Sequence, residues 1–209
     1  MTESERKQII ALIQREVIPA IGCTEPIAVA LCVAKATETL GAKPEKIKVL
    51  LSANILKNAM GVGIPGTGMI GLPIAVALGA LIGKSDYQLE VLKDSTPEAV
   101  EEGKKLIDEK RICISLKEDI TEKLYIEVTC EAGGEQATAI ISGGHTTFVY
   151  VAKGDEVLLN KQQTSGEEEE EETLELTLRK VYDFALTAPL DEIRFILETA
   201  RLNKKAAEQ

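Results

Sequence analysis

One cysteine in this chain lies where the sequence predicts the start of a helix, and it is the residue best placed to do chemistry. Cys23 belongs to the segment Gly-Cys-Thr-Glu-Pro at residues 22–26, in which Pro26 falls in the first helical turn. Unpaired backbone N–H groups and the positive end of the helix dipole favour a thiolate there, and a thiolate attacks substrates or binds metals. The alternative is a small buried apolar residue in front of a helix.

A glycine-dense loop at residues 61–68 is the second candidate for chemistry. Glycines let the backbone approach a ligand closely, and successive N–H groups can form a concave site for an anion such as a substrate carboxylate. The alternative is a tight buried turn between layers. The candidate substrate-binding residues are Thr24, Glu25, Asn58, Gly61, Gly63, Gly66, Thr67 and Gly68.

The same loop contains the pattern GxGxxG, but its context argues against a dinucleotide site. That site requires the pattern to lie tightly between a strand and a helix. Here about eight residues separate the predicted strand from the first glycine, and Pro65 interrupts the pattern. A nucleotide ligand is therefore not expected.

Two side chains are candidates for proton transfer. His145 is the only histidine and lies in a predicted turn, and imidazole titrates near neutral pH. Lys57 precedes the glycine loop and could, with Asn58, orient a carboxylate or an amine. The alternative for both residues is simple solvent exposure. The sequence does not decide whether His145 or Lys57 is the catalytic base or acid.

Helix and strand signals place these residues in an α+β fold. Thr2 and Glu5 match a capping box, Thr96 followed by Pro97 predicts another helix start, and an uncharged helix is expected from about Leu72 to Ile82, too short to cross a membrane. The predicted strands are 46–52, 89–92, 112–116, 124–131, 137–141 and 147–152. We therefore expect an antiparallel sheet of about four to five strands, with helices on one side and a buried, glycine-flanked helix among them.

A run of six glutamates suggests how the chain is divided. Like charges repel and resist burial, so residues 164–172 are expected to form an acidic linker. The linker would join an α+β domain at 1–163, which carries Cys23 and the glycine loop, to a helical segment at 173–209.

Composition narrows the possible partners. The net charge is −10, aromatic residues make up 3% of the 209 residues and Trp is missing, so nucleic-acid binding is not expected. The N-terminal sequence resembles an amphipathic helix and not a signal peptide, which predicts a cytoplasmic protein without membrane association. The cysteines form no CxxC pair, so each is judged by its position. Cys32 lies on a predicted buried helix, and Cys113 and Cys130 alternate with apolar residues in predicted strands, so all three are expected to be structural.

The segments 22–26 and 57–68, and more weakly Gly143–Thr146, resemble the L-cysteine desulfidase family, which is related to the alpha-chain domain of bacterial iron–sulfur serine dehydratases. The resemblance implies a [4Fe–4S] cluster held by three cysteines, of which Cys23 matches the first. It also implies conversion of L-cysteine to sulfide, pyruvate and ammonia. Members of that family are roughly twice as long and carry their other cluster cysteines in the second half, so the chain resembles an N-terminal half.

The resemblance leaves alternatives in place. The same residues suit an L-serine dehydratase-like lyase, although soft sulfur suits iron better and favours L-cysteine. A non-catalytic small-carboxylate-binding domain or a scaffold domain is a further alternative. The expected partners are a small amino-acid substrate and a missing C-terminal half or partner subunit, and a homo-oligomer is possible. Whether another cysteine approaches Cys23 decides whether this chain alone can hold a cluster.

Overall fold

The structure, a computed structural model, describes residues 1–161 and 175–208. It divides into two compact units, one formed by Ala20–Ser165 and one formed by Met1–Pro19 together with Gly166–Gln209. The first helix thus groups with the C-terminal helices, whereas the sequence-based division kept it with the sheet. The predicted acidic linker at 164–172 lies outside the described residues.

The larger unit contains a sheet and four α-helices. Its helices are α2 (Thr24–Leu40), α3 (Ala53–Ala59), α4 (Leu72–Ile82), a 3₁₀-helix (Ser85–Glu90) and α5 (Pro97–Asp108). Its strands are β1 (Lys46–Leu51), β2 (Gly63–Ile64), β3 (Met69–Ile70), β4 (Ile112–Leu116), β5 (Tyr125–Ala132), β6 (Glu135–Ser142), β7 (Phe148–Lys153) and β8 (Glu156–Asn160). The predicted α+β class is confirmed.

The main sheet has six strands in the order β4-β1-β5-β6-β7-β8, and β2 pairs with β3 in a separate hairpin. Neighbouring strands of the main sheet are antiparallel except β1 and β4, which run parallel. Val49 lies opposite Ile114 on one side and Val128 on the other, so apolar side chains line up across one face. That face is the one that α2 packs against.

The core lies between this sheet face and two nearly uncharged helices. Every residue of α2 from Pro26 to Ala34 is buried, and so is α4 from Ile74 to Ala80. The two helices approach closely at Gly79, where a Cβ atom would lie 2.6 Å from the backbone oxygen of Ala30. The expectation that the helix at residues 72–82 is buried is therefore confirmed, and the close packing requires glycine.

Three local expectations differ from the structure. Residues 89–92, expected as a strand, belong to the end of the 3₁₀-helix and a following turn. Residues 53–59, expected as the approach to a loop, form α3 and so place Lys57 and Asn58 on a helix. Strand β8 was not predicted, and it pairs only at one side because it is an edge strand. These short segments take their structure from neighbours distant in sequence, which local propensity does not reveal.

The smaller unit is helical. It contains α1 (Glu3–Glu16), α6 (Leu178–Thr187), α7 (Leu190–Ile193), a 3₁₀-helix (Arg194–Ile196) and α8 (Leu197–Ala207). The predicted capping box of α1 is confirmed, and Arg6 forms an ion pair with Glu192 at 2.8 Å. Within residues 1–161 and 175–208, no helix combines the length and the apolar character that a membrane span requires.

Candidate functional site

Cys23 is the N-cap residue of α2. Its backbone is extended (φ −60°, ψ 131°), and Thr24 is the first helical residue, as the sequence predicts. Pro26 occupies the first turn, where its missing N–H leaves no helical hydrogen bond unmade. The Cys23 side chain is partly buried, and its Sγ donates a hydrogen bond to Oε2 of Glu25 at 3.0 Å.

Glu25 is the centre of a small hydrogen-bond network. Its Oε2 also accepts from Thr24 Oγ1 at 3.3 Å, and its Oε1 accepts from Asn58 Nδ2 of α3 at 3.3 Å. Hydrogen bonds from Cys23, and then from Asn58 and Thr24, lower the pKa of Glu25 against the effect of burial. Glu25 is therefore an ionised carboxylate in a partly buried position, and three of the residues singled out from the sequence lie around it.

The protonation of Cys23 differs from the sequence-based expectation. Burial raises the pKa of the Cys23 thiol, and the hydrogen bond to the Glu25 carboxylate raises it further. The backbone N–H groups of Glu25 and Thr24 act in the opposite direction, as expected for a helix N-terminus, but their effect is smaller. In this state Cys23 is a protonated thiol that donates its hydrogen bond to an ionised carboxylate.

Residues 61–70 form a turn closed by β2 and β3, which we call the glycine hairpin. Thr67 closes it, because its Oγ1 donates to the backbone oxygen of Ile64 at 2.7 Å and accepts from the N–H of Met69 at 3.0 Å. Gly66 and Gly68 have φ values of +77° and +64°, which favour glycine. Gly61, Gly63, Gly66 and Gly68 are all exposed, so the alternative of a buried turn between layers does not describe them.

The glycine hairpin contacts the segment that carries Cys23. A Cβ atom on Gly22 would lie 3.0 Å from Cγ and 3.2 Å from Cδ of Pro65, at the tip of the hairpin. Gly22 thus lets the hairpin pack directly beside the cysteine segment. The structure brings together the two motifs that the sequence suggested separately.

His145 lies at the same end of the sheet as Cys23 but outside its hydrogen-bond network. Cys32 of α2 lies level with Ile126 at the start of β5, whereas Leu40, at the C-terminus of α2, accepts a hydrogen bond from Lys153 at the far end of β7. The N-terminus of α2 therefore points to the end of the sheet where the turn of residues 143–147 lies. His145 is partly buried there and makes no hydrogen bond or ion pair with another described residue.

Lys57 faces a different surface from Asn58, its neighbour on α3. Its exposed side chain lines an apolar groove and forms no ion pair with any described residue. The structure thus places neither His145 nor Lys57 in the network around Glu25.

Cys32 and Cys130 lie too far from Cys23 to share a metal ion with it. Cys32 is nine residues further along α2, about 13 Å away along the axis, and its Sγ bonds the backbone oxygen of Ala139 at 3.3 Å. Cys130 of β5 lies beside Thr37, which is still further along α2. Burial raises the pKa of Cys130 to about 11. Cys113 is exposed on β4, opposite Lys48 of β1.

The described residues therefore do not fit a complete [4Fe–4S] site. The resemblance implies a cluster held by three cysteine thiolates, and only Cys23 lies in the candidate site. Residues 1–161 and 175–208 contain no group of three or more His, Cys, Asp or Glu side chains arranged to hold a metal ion.

Sequence reasoning missed one residue near the site, Gln88. Its φ of 51° and ψ of −126° are unusual for a residue with a side chain, and they break the 3₁₀-helix. The next residue, Leu89, accepts a hydrogen bond through its backbone oxygen from the N–H of Ile21 at 3.4 Å, two residues before Cys23. No sequence signal marks this position, because glutamine is not typical of a positive φ.

Fold and site together define an α+β protein with a half-buried thiol–carboxylate pair at a helix N-terminus beside a glycine hairpin. The chain is 81% identical over its whole length to a UPF0597 protein of Bacteroides thetaiotaomicron, of which it covers 49%. It is 76% identical to a UPF0597 protein of Phocaeicola vulgatus, covering 48% of it, and 43% identical over 208 residues to one of Oleidesulfovibrio alaskensis, also covering 48%.

The chain thus spans about half the length of the curated relatives that it matches. No protein-family model matches it, and no solved structure does.

Proposed function

We propose that this chain supplies the Cys23 part of an iron–sulfur L-cysteine desulfidase, which converts L-cysteine to sulfide, pyruvate and ammonia. The observation that carries the proposal is the Cys23–Glu25–Asn58 network packed beside the glycine hairpin. It joins a thiol, an ionised carboxylate and an exposed glycine turn. The resemblance at residues 22–26 and 57–68 supports the same assignment.

In this proposal Cys23 is one cluster ligand and the remaining ligands come from polypeptide outside this chain. A ligating thiol must lose its proton, and burial and the Glu25 carboxylate 3.0 Å away raise the pKa of Cys23, so metal binding at Cys23 is expected to depend on pH. The half-length match to the relatives is consistent with a second half or partner subunit that completes the site.

The remaining residues bind and orient the substrate. The ionised Glu25, held in place by Asn58, suits the α-ammonium group of an amino acid. The N–H groups of the exposed glycine hairpin suit its carboxylate. A base, His145 or Lys57, removes the α-proton, the C–S bond breaks to release sulfide, and the resulting aminoacrylate hydrolyses to pyruvate and ammonia.

The cysteines bear on the compartment in which the protein works. All four are free thiols in the structure, which supports a reducing, cytoplasmic compartment as part of the proposal. The lack of a complete ligand set among the described residues favours one competing function, a small-carboxylate-binding domain that uses the same hairpin without chemistry.

Anaerobic reconstitution with iron and sulfide tests the proposal. The samples are this chain and a full-length hybrid in which it replaces the matching residues of the Bacteroides thetaiotaomicron relative. Iron content, and sulfide and pyruvate formed from L-cysteine, are measured with L-serine as the control substrate. We expect the hybrid to bind iron and release sulfide and pyruvate, and this chain alone to do neither.

A matched pair of variants assigns the ligand. Cys23→Ala in the hybrid should lose iron and sulfide production, whereas Cys113→Ala, which removes an exposed thiol elsewhere on the sheet, should keep both. Pyruvate from L-serine alone would make the protein a dehydratase. A hybrid that binds no iron and turns over neither substrate would refute the lyase proposal and favour the binding domain.

A further inference from the structure

An apolar groove opens at the edge of the sheet next to the candidate site. We call it the edge groove; it has a volume of about 580 Å³ and is lined by Ala53, Leu56, Lys57, Met60, Pro73, Ile114 and Leu116. The α3 residues that line it share one helical face, because they are spaced three or four positions apart. Ile114 and Leu116 come from β4. They lie on the sheet face that the helices cover at the neighbouring strands.

The groove is unusually apolar for a protein surface. Met60 and Leu116 are 55% and 47% exposed, so large side chains meet water where the helical layer ends. Contiguous exposed apolar surface is typical of an interaction site. Strand β4 also has a free outer edge, because among the described strands it pairs only with β1. An extended segment could hydrogen-bond to that edge while its side chains fill the groove.

The groove and the candidate site share helix α3. Lys57 lines the groove, and the next residue, Asn58, faces another surface of the helix and bonds Glu25, which in turn accepts from the Cys23 thiol. A polypeptide seated in the groove would therefore contact the helix that holds Asn58 at the site. Lys57 has no ion-pair partner among the described residues, so an acidic side chain on the occupant would meet it.

We propose that the edge groove is the docking surface for the additional polypeptide present in the longer relatives. This inference rests on the proposed function, because it explains how an incomplete Cys23 site is completed. The relatives possess about as much further sequence as the chain matches, enough to cover the groove within one molecule. The docked segment is apolar, pairs with β4 and carries an acid for Lys57. In this arrangement Lys57 serves docking, and His145 is the remaining candidate base.

Oxidative footprinting tests the proposal without requiring activity. Hydroxyl-radical labelling of Met60 and Leu116 is compared between this chain and the full-length hybrid with the Bacteroides thetaiotaomicron relative, and the unmodified relative is run in parallel. Leu158, 57% exposed on the opposite edge strand β8, is the control. We expect severalfold slower labelling of Met60 and Leu116 in the hybrid, independent of protein concentration, and unchanged labelling of Leu158.

A charge substitution gives a second, independent measurement. Leu116→Lys should shift the Tm of this chain by no more than about 1 °C, because the side chain is already half exposed, and should lower that of the hybrid by about 5 °C or more. Leu158→Lys should change neither protein. A hybrid in which Met60 and Leu116 label as fast as in this chain, or in which Leu116→Lys is harmless, would overturn the proposal.

The outcomes also separate this inference from the proposed function. Protection that occurs in this chain alone and disappears on dilution would show that a second copy covers the groove, and it would refute the proposed occupant. Protection in a hybrid that neither binds iron nor releases sulfide would retain the docking surface and refute the desulfidase. Sulfide production by a hybrid with an unprotected groove would retain the desulfidase and refute the docking surface.

Discussion

Replacing Gly79 by alanine tests the close contact between α4 and α2, the helix whose N-terminus holds Cys23. The added Cβ atom would lie 2.6 Å from the backbone oxygen and 3.1 Å from Cα of Ala30. Ordinary contact begins at 3.4 Å, so the two helices must move apart by about 0.8 Å. The obstructing atoms are two backbone atoms of Ala30 and Cβ of Val33 at 3.1 Å, which moves with its backbone, so no side-chain rotation can relieve the clash.

The expected loss follows from two opposing terms. Overpacking against rigid backbone costs about 3 kcal/mol, whereas alanine gains about 1 kcal/mol over glycine within a helix. The free energy of unfolding should therefore fall by about 2 kcal/mol, which corresponds to a Tm lower by about 4–8 °C. Urea and thermal unfolding followed by far-UV circular dichroism measure this directly, and the chain has no Trp for fluorescence.

Gly103→Ala is the matched control, because Gly103 is also a buried glycine within a helix. Its Cβ atom would meet Cδ1 of Ile74 at 3.0 Å and Cβ of Ala77 at 3.3 Å. The flexible end of Ile74 can rotate away, and the contact with Ala77 is short by only about 0.1 Å. This variant should be neutral or more stable by up to about 1 kcal/mol. A Gly79→Ala protein as stable as the parent would refute the described helix contact, and an equal loss in both variants would refute the argument from backbone rigidity.

Three further predictions concern the site and its support. Glu25→Gln should lower the pKa of Cys23, because it removes the carboxylate that adds to the effect of burial; the midpoint of iodoacetamide labelling of Cys23 should move to lower pH, and an upward shift would contradict the assignment. Ser52→Ala should cost about 2 kcal/mol in urea unfolding, because the buried hydroxyl donates to the backbone oxygen of Lys123 and accepts from the N–H of Tyr125 at the start of β5, and an unchanged midpoint would show that these bonds contribute nothing. Gln88→Gly should raise stability by about 1 kcal/mol by relieving the positive φ, and a loss would show that the backbone there is not strained.

Several elements were predictable because their signals are local. The capping box of Thr2, the cap at Thr96 before Pro97 and the helix start at Thr24 all appear where the sequence places them. The turn at Gly133–Gly134 between β5 and β6 is local in the same sense, since both residues have a positive φ that glycine permits. In each case the deciding hydrogen bonds or dihedral angles involve residues within a few positions of one another.

Other elements depend on contacts that no local pattern contains. The parallel pairing of β1 with β4 joins residues more than sixty positions apart. Residues 89–92 form a turn where a strand was expected, and there the backbone oxygen of Leu89 accepts a hydrogen bond from the distant Ile21. The seven-residue helix α3 is likewise too short to be recognised from periodicity. Burial against the rest of the fold decides such segments.

The candidate site shows the same division. The sequence by itself determined that Cys23 caps a helix with Glu25 in its first turn, since capping depends on neighbouring residues. Only the tertiary structure decided that Asn58 reaches Glu25, that Pro65 packs on Gly22 and that Cys32, Cys113 and Cys130 lie away from Cys23. The protonation of the thiol was also decided there, because it depends on burial and on a carboxylate whose position the fold sets.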